Sequence, residues 1–199
     1  MMGQSRKSGG GVRKQAGRQP AAMVPEPGSL GYAGGPLAPI AHERVVELPR
    51  SEVWKLLATG EGWKRFFDVE ARIELRPGGK FEILFDPDAP PGQQGSEGCT
   101  VLSFLPDEML SFTWNAPPKF AHARSRYTWV VVRFTEPAVT RTFVRLDHLG
   151  FAEQAADNPD HRAEWEEVRA YFQRAWGMVL DKMKEQESKG AEEEVERRE

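Results

Sequence analysis

The chain has 199 residues, 39% hydrophobic and 29% charged, which suits one globular domain with tails and leaves too little for two full domains. A net charge of −3 supplies no global electrostatic drive toward nucleic acid or an anionic membrane. The single cysteine, Cys99, excludes an internal disulfide and fits a reducing compartment, and no apolar run approaches the ~20 residues of a membrane span, so a soluble cytoplasmic protein is expected.

Residues 1–36 are rich in Gly, Pro, Gln, Ala and Ser and carry Arg6, Lys7, Arg13, Lys14 and Arg18 with no acid before Glu26. A stretch of this kind buries too little apolar surface to offset its ordering entropy and reads as a solvated basic tail. Residues 40–48 read as a first strand, stopped by Pro49-Arg50-Ser51. Ser51 is placed to cap a helix over 52–58 that carries Val53, Trp54 and Leu57 on one side. Gly60 and Gly62 are expected to break that helix before a second short one over Trp63 to Phe67. Val69, Ala71, Ile73 and Leu75 then alternate with Glu70, Arg72, Glu74 and Arg76, a strand wet on one side. Arg76-Pro77-Gly78-Gly79-Lys80 turns the chain, and Phe81, Ile83 and Phe85 return on a common face. The polar, proline-broken loop 86–96 is expected to be exposed.

Residues 98–114 read as a hairpin about Pro106-Asp107-Glu108, with Leu110, Phe112 and Trp114 on its apolar face. Residues 126–134 and 140–148 are two more strands, β-branched and aromatic. Asn158 and Pro159 open a long terminal helix whose Trp165, Val168, Phe172, Ala175, Trp176, Val179, Leu180 and Met183 form one apolar stripe. Gly190 is placed to stop it, and 189–199 reads as a second charged tail. The class is α+β: one strand, two short helices, six further strands, and a helix whose only broad apolar partner is the dry face of the sheet.

Several of these segments, in order, resemble the AHSA-like family (activator of heat-shock protein 90 ATPase homologues) of the START-like, or SRPBCC, superfamily. The resemblance runs over residues 38–187: Pro49 through Trp54, Trp63, Arg76-Pro77-Gly78-Gly79, Gly98 through Trp114, Leu146 through Phe151, and Trp176, Leu180, Met183 and Lys184. It implies a helix-grip domain at 37–188, an antiparallel sheet of about seven strands curved around the terminal helix. It also implies a cavity between helix and sheet, used in the superfamily for lipids, polyketides and other apolar molecules and, in a minority of members, for catalysis. Ala175 stands where the family usually has glycine. The eukaryotic activators carry a large N-terminal domain that engages the chaperone, and 36 low-complexity residues do not replace it.

The aromatic candidates for lining such a cavity are Trp63, Phe85, Trp114, Trp129, Phe172 and Trp176. His148 joins them, because alternation with Val144 and Leu146 points it inward, as a core histidine held by one partner, a ligand-orienting group or a general acid or base. Cys99 has no basic neighbour in sequence to activate it and reads as a small core residue. His161 and Glu164 lie one helical turn apart without zinc-type spacing, and Gly78-Gly79-Lys80 lacks the spacing of a phosphate loop, so neither a metal nor a cofactor is expected. The leading expectation is a non-enzymatic module for an unidentified apolar or aromatic molecule, without nucleic-acid or membrane partners. A cyclase- or hydrolase-like enzyme using His148 with Tyr127, and a chaperone-cofactor-type interaction module, are the alternatives.

Overall fold

A computed structural model describes residues 35–186. The expected tails, residues 1–36 and 189–199, and the stop at Gly190 lie outside these residues, apart from positions 35 and 36. The described chain runs β1 (Ile40–Val46), α1 (Arg50–Ala58), α2 (Gly60–Phe67), β2 (Glu70–Ile73), β3 (Phe81–Leu84), β4 (Val101–Leu105) and β5 (Met109–Asn115). It continues through α3 (Ala121–Arg124), β6 (Tyr127–Ala138), β7 (Arg141–Leu149), α4 (Phe151–Asp157), a 3-10 turn (Pro159–His161) and α5 (Arg162–Lys184).

Among the described residues seven antiparallel strands form, divided between a five-stranded sheet in the order β1-β7-β6-β5-β4 and the β2-β3 hairpin. The hairpin continues the larger sheet beside β4, where Phe81 N–H donates to the Cys99 carbonyl at 2.9 Å and Val101 N–H to that of Gly79 at 2.8 Å. The period of two decides which face is dry. Leu110, Phe112 and Trp114 of β5, Val130, Val132 and Phe134 of β6, and Val144, Leu146 and His148 of β7 are all buried on it. Against that face lies α5, burying Trp165, Val168, Phe172, Trp176, Val179, Leu180 and Met183. At about 1.5–3 kcal/mol for each large apolar side chain taken from water, this stripe holds the helix down. The opposite face is wet and carries a charge ladder, in which Arg145 bridges Glu43 and Asp147, and Arg133 reaches Asp147 at 2.8 Å.

Local chemistry moves several expected boundaries. Helix α1 starts at Arg50, with Pro49 at the cap position and no side-chain cap, so Ser51 is not the N-cap. The expected break between the two short helices falls at Thr59, whose extended backbone separates them, and Gly60 and Gly62 lie inside α2. A Cβ at Gly62 would stand 2.1 Å from the Lys55 carbonyl oxygen, so glycine lets the two helices meet, and Thr59 Oγ1 caps α2 by accepting from Gly62 N–H at 3.0 Å. The strand expected over 69–76 ends at Ile73, because the 74–79 turn begins there with Arg76 N–H donating to Glu74 O at 2.7 Å. The terminal helix is preceded by α4, which sequence periodicity does not separate from it. Asn158 makes no cap, because its Oδ1 instead accepts Arg126 Nη2–H at 3.1 Å. No helix among the described residues is long and apolar enough to cross a membrane.

An aromatic cleft between sheet and terminal helix

The loop expected to be exposed, 86–96, is pinned at its far end. Ser96 is buried; its hydroxyl accepts Ile83 N–H at 2.8 Å and donates to the Phe81 carbonyl at 3.2 Å. Gly95 lies so close to β3 that a Cβ there would stand 1.8 Å from the Ile83 oxygen. Arg124 at the end of α3 completes the clamp. Its Nη1 donates to Gly95 O at 2.7 Å, Asn115 Oδ1 at 2.9 Å and Ala116 O at 2.8 Å, and its Nη2 to Gly92 O at 2.6 Å. Glu97 accepts the N–H groups of Gly92 and Gln94, and Asn115 Nδ2 donates to Glu97 O. One guanidinium fork thus ties the loop to the end of β5, the rigid donor geometry for which arginine suits such a position.

The pinned loop forms one wall of a cleft of about 400 Å³, within the range of small-molecule sites. Tyr171, Phe172, Ala175, Trp176, Met178 and Val179 of α5 form the facing wall. Trp114 and Asn115 floor it, Phe67 and Phe85 close one side, and Pro117, Pro118 and Arg124 the other. The rings are in mutual contact: Trp114 and Trp176 have centroids 5.1 Å apart, Phe67 and Phe85 5.9 Å, and Phe85 and Trp114 6.4 Å. Phe85 is 42% exposed, and Met178 60%, so apolar surface reaches solvent at the mouth.

His148 lies behind this floor and does not line the cleft. Trp176 Nε1–H donates to its Nδ1 at 2.8 Å, and its Nε2 is 2.7 Å from Thr128 Oγ1. Indole is a donor only, so Nδ1 is the acceptor and Nε2 carries the proton, donated to Thr128. The threonine hydroxyl passes its own proton to Trp114 O at 2.9 Å. Complete burial pushes the imidazole pKa down to about 3, so it is neutral, with both ring nitrogens engaged.

The family described as Activator of Hsp90 ATPase homolog 1-like protein matches residues 47–186. The chain belongs to that family. Among solved structures, it is similar to a Mesorhizobium loti protein at 20% identity, covering 74% of this chain and 94% of the other, with a TM-score of 0.54. It is also similar to a Staphylococcus saprophyticus protein at 15% identity, covering 76% and 92%, with a TM-score of 0.51. A Staphylococcus aureus protein of unknown function is 15% identical over 78% and 96%, with a TM-score of 0.50. At these identities the likeness shows the fold, the helix-grip arrangement of an activator-homologue-like domain. No curated protein matches the sequence.

Within this activator-homologue-like domain, four of the seven aromatic and histidine candidates, Phe85, Trp114, Phe172 and Trp176, face the cleft. Trp63 is fully buried behind Phe67 and Phe85, its indole N–H donating to Leu57 O at 3.0 Å. Trp129 shares the outward phase of β6 with Tyr127 and Arg133 and packs under Gly150, where a Cβ would stand 2.8 Å from its ring. By the same alternation Tyr127 and His148 point to opposite faces of the sheet, so the structure does not bring them together. Cys99 is buried, and desolvation pushes its thiol up to about 12. Glu164 supports a wall of the cleft: its Oε1 accepts the N–H groups of His122 and Ala123 at the start of α3, and His161 Nδ1 is 3.6 Å from its Oε2. No group of three metal-ligating side chains is assembled among the described residues. Sequence reasoning missed Phe67, Tyr171, Asn115 and Arg124, whose roles arise from contacts distant in sequence.

Proposed function

We propose that this domain is a non-enzymatic module that holds a small apolar molecule in the cleft between α5 and the sheet. The observation that carries the reading is the cleft itself, about 400 Å³ with six aromatic side chains in its lining and an apolar rim open to solvent. Its size and lining match what a small apolar ligand needs to leave water. Several polar groups nearby are committed to structure, Arg124 and Asn115 to the loop, Ser96 to β3, and His148 to Trp176 and Thr128, which leaves Asp86 as the carboxylate of the lining. Among the described residues the lining holds no histidine, lysine or cysteine and no second carboxylate to act with Asp86, which favours binding over chemistry, because acid–base catalysis draws on several groups converging on the substrate. Phe85, Trp114, Phe172 and Trp176 are the proposed contact residues, joined by Phe67 and Tyr171.

Native mass spectrometry of freshly purified protein tests the reading. A co-purifying adduct of constant mass, lost from an Ala175→Trp variant whose new ring occupies the cleft, is expected. The same adduct on both proteins would place the ligand elsewhere.

A further inference from the structure

Charge around the cleft is uneven, and the cations rest on the lining itself. Lys119 Nζ sits 4.9 Å from the ring centroid of Tyr171, and Lys182 Nζ sits 5.0 Å from that of Phe67; both rings line the cleft. Both lysines are exposed, and neither has a carboxylate partner among the described residues. Arg174, exposed and equally unpaired among them, stands one helical turn from both Tyr171 and Met178. Within the lining the charged residues are Asp86 and Arg124, and Arg124 is tied to carbonyls with Glu97 3.9 Å away. Three unpaired cations thus ring an apolar cleft, against the single lining carboxylate of Asp86, in a chain whose net charge is −3.

We infer that the ligand is an anionic amphiphile, an apolar body in the cleft with a carboxylate, sulfate or phosphate head at the rim among Lys119, Arg174 and Lys182. This rests on the proposed binding reading and adds the head group to it. The geometry suits a small anion held at the edge: long lysine stems lie along the rings and their ammonium groups reach water. The attraction crosses solvent, so it is modest and fades with salt.

The test compares three molecules of one chain length, decyl sulfate, decanol and decyltrimethylammonium, each titrated below its micelle concentration against tryptophan fluorescence. At low salt decyl sulfate should bind about fivefold more tightly than decanol, and decyltrimethylammonium more weakly than either. In a Lys119→Gln, Arg174→Gln, Lys182→Gln triple variant the sulfate should fall to the affinity of decanol while decanol stays unchanged. Asp86→Asn should tighten the sulfate. Equal affinity of all three molecules, or a preference for the ammonium, would overturn the head-group assignment and leave the apolar site intact. Failure of all three to quench would overturn both readings, and a sulfate effect retained in Ala175→Trp would place the anion outside the cleft.

Discussion

The indole N–H of Trp176 donates to Nδ1 of His148 at 2.8 Å, and this contact sets both the histidine's tautomer and the orientation of a ring in the cleft wall. Trp176 therefore has one face toward the cleft and its polar edge toward the core. Removing it opens a cavity and strands a buried acceptor. Trp176→Ala should cost about 3–5 kcal/mol in urea melts. Trp176→Phe, which keeps most of the volume and loses the donor, should cost about 1–3 kcal/mol. A loss under ~1 kcal/mol in the alanine variant would mean that the stripe of α5 does not pack as described.

His148 makes stability depend on pH. Its folded pKa, about 3, lies below the ordinary histidine value of 6.5. The unfolded chain therefore takes up a proton first as pH falls, and the stabilisation present above about pH 6.5 is lost on the way down toward 3. Between pH 7 and pH 5 the group should remove about 2 kcal/mol. His148→Gln, which keeps an acceptor for Trp176 and a donor for Thr128, should show a shallower fall by that amount. Parallel pH profiles for the two proteins would mean that the imidazole is protonated in the folded state.

A second histidine should respond locally. The rings of His122 and His161 stack with centroids 3.5 Å apart and planes 4° from parallel, and Arg126 adds positive charge nearby. Desolvation, then His161 and Arg126, lower the His122 pKa, with Glu164 opposing. Stability from this contact is present above the ordinary histidine range and lost as pH falls through it. Amide exchange over residues 121–126 should accelerate, after correction for intrinsic rates, between pH 7 and pH 5, and His122→Phe should remove that acceleration. A pH-independent opening of the segment in the wild type would contradict the stacking account.

Arg124 holds the loop wall. Arg124→Gln leaves the Gly92 and Gly95 carbonyls without their charged donor and should cost about 2 kcal/mol. Hydrogen exchange at residues 92–97 should rise while the β6-β7 ladder stays protected. Unchanged exchange in the loop would show that Ser96 and Glu97 anchor it alone.

The fold was legible because two periodicities dominate it. Alternation along β5, β6 and β7 selects the dry face, and three- and four-residue steps mark the stripe of α5, so Trp114, Phe172 and Trp176 fall where the pattern puts them. Trp129 shows the cost of weighing aromatic character above phase, since the alternation of β6 already assigns it outward with Tyr127 and Arg133. The walls of the cleft were not legible. Arg124 meets Gly92 across 32 residues and Gly95 across 29, and no local spacing encodes such a hydrogen bond. Asn158 looked like a helix cap by type and position, but Arg126, 32 residues earlier, claims its oxygen.

The central claim, that the cleft between α5 and the sheet is the binding site, is tested most directly by filling it. Ala175 lines the cleft from α5, and a tryptophan there occupies its volume. Wild-type protein and Ala175→Trp should be titrated with the neutral fluorophore N-phenyl-1-naphthylamine, with thermal melts confirming that both are folded. The account predicts saturable enhancement with the wild type and at least about tenfold weaker binding with the variant, the effect of losing ~1.4 kcal/mol or more of contact. Equal binding by the two folded proteins would contradict it.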